Sequence, residues 1–260
     1  MGRQLLDSLS VLGVAGLFAL VTFLFYEAGF RVGRWWQNRE PGEQEGPTNA
    51  LVGAILALQA FLLAITMGMA ADRFDTRRGL VVAEANAIGR TYLQADYLPE
   101  SSADQMKELL REYLPLRIAT DERTVIQANA KRSMELHREM WAIAAVVAQS
   151  GYLPDLVSSF GDSLTEVVSM SQTRVSALEA RVPETVLILL LAGSALSLGM
   201  VGYSAGLTGR RGLLSAVVLI VALGAVMTLV IDLDRPQEGF LQVSQQPLLD
   251  VQSWIGSPSP

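Results

Sequence analysis

The chain has 260 residues, half of them apolar and only 18% charged, with a formal net charge of −6 and a mean hydropathy of +0.33. That balance belongs to a chain lying partly in lipid rather than to a soluble domain. The absence of cysteine excludes disulfides, thiolate chemistry and cysteine metal sites. The single histidine leaves no cluster for zinc, and basic residues scattered among acids give no footprint for nucleic acid.

The first uncharged apolar run, Leu9 to Tyr26, reads LSVLGVAGLFALVTFLFY. At 1.5 Å per residue it is long enough to cross roughly 30 Å of hydrocarbon. Only Arg3 precedes it, and it ends in bulky Phe25, Tyr26 and Glu27 rather than a small-residue cleavage site. It is therefore expected to be a retained span, residues 9–30, and not a signal peptide. Glu27 and Arg31 are four apart, which fits either an ion pair at the membrane interface or an ion-attracting ring in an oligomer. Trp35 and Trp36 read as interface anchors. Glu40, Pro41, Gly42, Glu43, Glu45, Gly46 and Pro47 then form a solvated turn.

The second run, Ala50 to Ala71, reads ALVGAILALQAFLLAITMGMAA. Gln59 lies in mid-span, where an amide either bonds another helix or lines a pore. Gly53, Ala57, Ala60, Ala64, Gly68 and Ala71 make a small-residue stripe that admits close backbone approach. Leu58, Leu62, Ile65 and Met69 form an adjacent bulky stripe. With Gln59 and Thr66 they are the pore-lining candidates, because bulky apolar rings gate by dewetting. If there is no pore, the same faces meet lipid or protein.

No proline follows until Pro99, so the stretch MAADRFDTRRGLVVAEANAIGRTYL predicts a membrane helix that continues past the interface near Asp72 and Arg73. Asp75 and Arg78 can pair at i, i+3. Glu84 and Asn86 stand among small apolar residues, either at a subunit or helix contact or as solvated groups. A further amphipathic helix is expected from a Ser101 or Ser102 cap. Trp141 to Ala148 is too short to span and reads as a core helix. His137, beside Arg138 and Glu139, is expected to be exposed. From Leu156 to Val182, apolar residues recur at helical spacing, and this stripe is expected to run directly into the third span through Pro183 and Glu184.

The third and fourth spans are expected at residues 184–203 and 213–231. Four spans place both termini and residues 72–183 on one side. The slight arginine excess there assigns that side to the cytoplasm. After the fourth span, Asp232, Asp234 and Arg235, followed by Pro236, form a boundary cluster. It is expected either to join Arg73 or Arg77 in a salt-bridge network or to coordinate a cation. Ser244-Gln245-Gln246-Pro247 reads as a helix start, with proline tolerated in the first turn. The fold class is thus all-α: one domain, 1–260, with four transmembrane helices and a cytosolic helical bundle (72–183) continuous with the second and third spans, then a tail, 232–260.

Three stretches carry a resemblance. RFDTRRGLVVAEANAIGRTYLQADYLP, EAGFRVGRW at Glu27 to Trp35 and DLDRPQEGFLQVSQQPLLD at Asp232 to Asp250 resemble the bestrophin-like family of bacterial membrane proteins. The motif residues so matched include Glu27, Glu84, Asn86, Ser244, Gln245, Gln246 and Pro247. The resemblance implies a multi-pass inner-membrane protein in a lipid bilayer. It also implies a homo-oligomer (a pentamer), inorganic anions such as chloride as the cargo, and no cofactor. No acidic calcium clasp is recognisable, so calcium gating is not implied. Nothing resembles a P-loop or a nucleophile triad, so no enzyme is expected. Two other classes stay open beside an anion channel with the second span at its pore. One is a structural or signalling protein whose bundle binds a partner; the other is a transporter subunit, although no proline breaks a span.

Overall fold

The computed structural model describes residues 10–40, 45–118, 123–235 and 239–256. Pro41, Gly42, Glu43, the Glu45 and Pro47 side chains and Pro236 lie outside the described residues. The regular structure is helical throughout the described residues: α1 (Val11–Arg39), α2 (Glu45–Gln94), a 3₁₀ turn (Ala95–Tyr97), α3 (Glu100–Arg117), α4 (Arg123–Gln149), α5 (Pro154–Glu179), α6 (Glu184–Thr208), α7 (Leu213–Asp234) and α8 (Gln246–Ile255). Four of these stretches are long and apolar enough to cross a membrane.

The helix ends follow local chemistry. Ser10 caps α1, its hydroxyl accepting from Gly13 N at 3.1 Å. Helix α3 starts after Pro99, earlier than the expected serine caps, because proline's fixed φ suits the entry to a first turn. Gly209 ends α6 at φ 68°, the left-handed position where glycine has no Cβ penalty. Pro247 sits in the first turn of α8, as expected.

One expectation is corrected. Helix α2 is unbroken over 50 residues, but α5 does not continue into α6. Ala180 to Pro183 are non-helical, because Pro183 disfavours the α conformation in the residue before it and offers no N–H.

The chain divides into two compact units. The first, Met1–Phe74 with Arg181–Leu241, holds α1, the first part of α2, α6 and α7. Its core joins Val14, Phe18, Leu63, Leu190, Met227 and Val230. Within it, α1 and α6 meet backbone to backbone. A Cβ placed on Gly29 would fall on the Gly199 carbonyl, and one on Gly33 on the Tyr203 carbonyl. Reciprocally, Gly202 faces the Tyr26 carbonyl and Gly206 the Phe30 carbonyl. Glycine alone permits this approach, which gives the pair its van der Waals contact in an environment with no hydrophobic drive between helices.

The second unit, Asp75–Ala180 with Gln242–Pro260, holds the rest of α2, the 3₁₀ turn, α3, α4, α5 and α8. It has its own core around Ile88, Met106, Leu110, Leu136, Phe160 and Leu248.

Candidate functional site

Helix α2 carries most of the candidate residues, and its geometry sorts them. Leu63, Thr66, Ala70 and Gln59 turn inward and are buried. Gln59 Nε2 donates to Leu190 O at 3.0 Å and to Ser194 Oγ at 2.8 Å, both on α6. Ser194 Oγ in turn donates to Leu190 O at 2.8 Å. Gly193 makes the room, since a Cβ there would collide with the Gln59 amide oxygen. Of the two roles open to this amide, the structure shows helix bonding. Thr66 spends its hydroxyl on Leu62 O at 2.8 Å. Both residues are 3% exposed and so stand off the outer face of the chain.

Leu58 (59% exposed), Ile65 (48%) and Met69 (39%) remain on the outer face, while Leu62 is partly packed into the first unit's core. The small-residue stripe beside them faces outward from Gly53 to Gly68, while Ala71 packs on the first unit's core. Gly53 and Gly68 have nothing within 4 Å of an added Cβ, so close intrachain packing does not explain it. The apolar window of α2 is 17% buried, against 28% for those of α1 and α7 and 39% for the stretch containing α6. Helix α2 is thus the span with the least partnered surface.

Of the boundary charges expected in one network, Arg73 and Asp234 meet, while Asp232 also binds backbone amides. Arg73 pairs with Asp234 at 3.6 Å, linking α2 to α7. Asp234 Oδ1 also accepts Val182 N at 2.8 Å, holding the segment that leads into α6. Asp232 instead accepts Phe240 N at 2.9 Å and Leu241 N at 3.0 Å. Its two oxygens thereby hold the backbone at Phe240 and Leu241. Arg77 and Arg235 are both buried. At the other end of α1, Glu27 pairs with Arg31 at 2.9 Å, the i, i+4 pair expected, and with Arg211 at 3.5 Å.

In the second unit, Glu84 has no exposed surface and is clasped by two arginines: Arg117 Nε on α3 at 2.6 Å and an Arg174 terminal nitrogen on α5 at 2.5 Å. Arg174 also donates to the Arg117 carbonyl at 3.0 Å and to Gln245 Oε1 at 2.7 Å, just ahead of α8. One carboxylate thereby ties four segments together. Of the two readings of Glu84, the helix contact is the one present; Asn86 is exposed. Ser244 Oγ accepts Gln246 N at 3.3 Å, and Gln246 bonds Asp250, so these motif residues order the start of α8.

His137 is half-buried rather than exposed, its ring 4.9 Å from that of Tyr113. Burial and the Arg117 guanidinium push it below the ordinary histidine value, with Glu84 opposing. Burial pushes the Tyr113 hydroxyl up to about 12. The partners Arg117, Arg174, Ser194 and Gly193 were not singled out from sequence.

The bestrophin-like domain profile matches residues 10–248. The chain belongs to the bestrophin-like family. Solved structures agree with this at the level of fold. A bacterial bestrophin homolog from Klebsiella pneumoniae is 16% identical, with a TM-score of 0.64 over 94% of this chain and 99% of the other. Two point variants of that protein give TM-scores of 0.67 (16% identity, 91% and 98% covered) and 0.68 (17% identity, 95% and 95% covered). No curated protein matches the sequence. This bestrophin-like chain is accordingly a membrane protein with several apolar helices.

Proposed function

We propose that this bestrophin-like chain assembles with copies of itself around an axis and conducts ions, anions in preference, with α2 lining the path. The observation that carries the proposal is the outward face of α2, where Leu58, Ile65 and Met69 stand exposed on the least partnered span. Family membership supports it. Apolar side chains repeated around an axis make a constriction that passes ions only when wetted. The termini and residues 72–183 are assigned to the cytoplasm by the arginine balance.

The test is current from purified protein in planar bilayers. Ile65→Ala widens an apolar constriction and should raise conductance or open probability. A folded oligomer that gives no current, either unaltered or as Ile65→Ala, would transfer the assignment to a structural or signalling protein. Cysteines introduced at Asn38 and Gln105 report orientation. Impermeant thiol reagent on intact cells should label the first and spare the second, and the converse would reverse the topology.

A further inference from the structure

We propose that the end of α1 and the α6–α7 turn form a docking surface for an anionic phospholipid headgroup. Exposed apolar side chains run down α1 as far as Val32 and resume on α7 from Leu213 and Leu214. Where they stop, arginines cluster. Arg31 and Arg211 converge on Glu27, and Arg34 reaches the Gly209 carbonyl at 3.5 Å, beside Arg210. Of these four arginines, Arg31 and Arg211 take the Glu27 carboxylate. Neither Arg34 nor Arg210 has an ion-pair partner among the described residues. A local surplus of cations with unused donors matches phosphate, which takes guanidinium in a bidentate fork.

The aromatic residues locate the partner in a membrane rather than in free solution. Trp35 is 50% and Trp36 39% exposed, the amphipathic pair that settles at headgroup depth. Arg211 lies over the Phe30 ring at 4.9 Å and Arg39 over Trp35 at 4.3 Å, which holds the cationic planes at the apolar edge. A lipid can satisfy both features together, its acyl chains on the apolar faces of α1 and α7 and its phosphate on Arg34 and Arg210.

The experiment measures, by electron spin resonance on reconstituted protein, the association of spin-labelled phosphatidylglycerol relative to phosphatidylcholine. The expected result is preference for the anionic lipid. It should fall by about fivefold per arginine in Arg34→Gln, Arg210→Gln and Arg211→Gln, the fold-change equivalent to about 1 kcal/mol per basic residue at a membrane surface. Arg210→Gln alone, at an exposed residue of the turn, serves if the variant carrying all three fails to fold. Exchange of all three for lysine should retain most of the preference. The proposal is overturned if Arg210→Gln leaves the preference intact, or if Arg90→Gln with Arg138→Gln lowers it equally. Millimolar inorganic phosphate abolishing it would also overturn the proposal, because the surface would then be a site for a soluble anion.

Discussion

Arg117 Nε lies 2.6 Å from Glu84 Oε1, and the carboxylate it meets has no exposed surface at all. With Arg174 on the other oxygen, the pair is a buried ion cluster of two cations and one anion. Such clusters bring large desolvation costs and contribute little net stability, yet removing one partner leaves an uncompensated buried charge. Glu84→Ala should therefore destabilise the protein by about 3–5 kcal/mol. The measurement is chemical unfolding in detergent, followed by circular dichroism. Glu84→Ala together with Arg117→Met and Arg174→Met should recover much of the loss; strict additivity would remove the idea.

The α1–α6 seam predicts a contrast between glycines. Gly202→Ala drives a methyl into the Tyr26 carbonyl and should cost at least about 1–3 kcal/mol through forced backbone displacement. Gly53→Ala and Gly68→Ala have open space within this chain and should hold or raise the thermal midpoint of the isolated subunit, alanine being the better helix former. Equal losses at Gly202 and Gly53 would count against the seam.

Gln59 should behave as a structural amide. Gln59→Leu forfeits bonds to Leu190 and Ser194 and should cost about 0.5–2 kcal/mol, the range for hydrogen bonds between membrane helices. A double-mutant cycle with Ser194→Ala should show coupling. In current recordings Gln59→Leu should leave the anion-to-cation permeability ratio unchanged; a shifted ratio would put the amide on the conduction path.

Acid should weaken the second unit through His137. Its pKa lies below the ordinary value of 6.5 in the folded chain, so folding favours the neutral ring. That stability is fully present above about pH 6.5 and is lost as pH falls toward the folded pKa. The groups facing the ring from neighbouring helices are Tyr113 and Arg117 on α3 and Glu84 on α2. The added slope cannot exceed one proton, about 1.4 kcal/mol per pH unit. Hydrogen exchange in α3 and α4 at pH 5.5 and 7.5 should show faster opening at the lower pH, and His137→Gln should abolish the difference. The chain has no other histidine to confuse the reading.

Much of this architecture is legible in local sequence. Uncharged runs of span length identify the four membrane helices, and the lack of proline between Pro47 and Pro99 accounts for the unbroken α2. Pro183 also announces the break before α6, although the apolar stripe on either side hides it. The Glu84 clasp is not legible, because its arginines lie 33 and 90 residues away. Asp232 and Asp234 look equivalent in sequence, yet Asp232 binds the Phe240 and Leu241 amides, and Asp234 meets both Arg73 and the Val182 amide. Gly29-Phe-Arg-Val-Gly33 and Gly202-Tyr-Ser-Ala-Gly206 do carry a readable signal, two small-residue pairs at a spacing of four, but hydropathy ranks them no higher than any other stretch of the spans.

That pairing of α1 with α6 has a lopsided mutational grammar. Ordinary cores fail when atoms are taken away, and suppressors restore bulk. Here the glycine positions already hold nothing that can be trimmed, so every substitution at Gly29, Gly33, Gly202 or Gly206 is an addition. A suppressor has no facing side chain to shorten, because the obstacle is main chain. Random mutagenesis should therefore find these positions intolerant and without compensating partners, a silent row in any search for paired changes between the two helices.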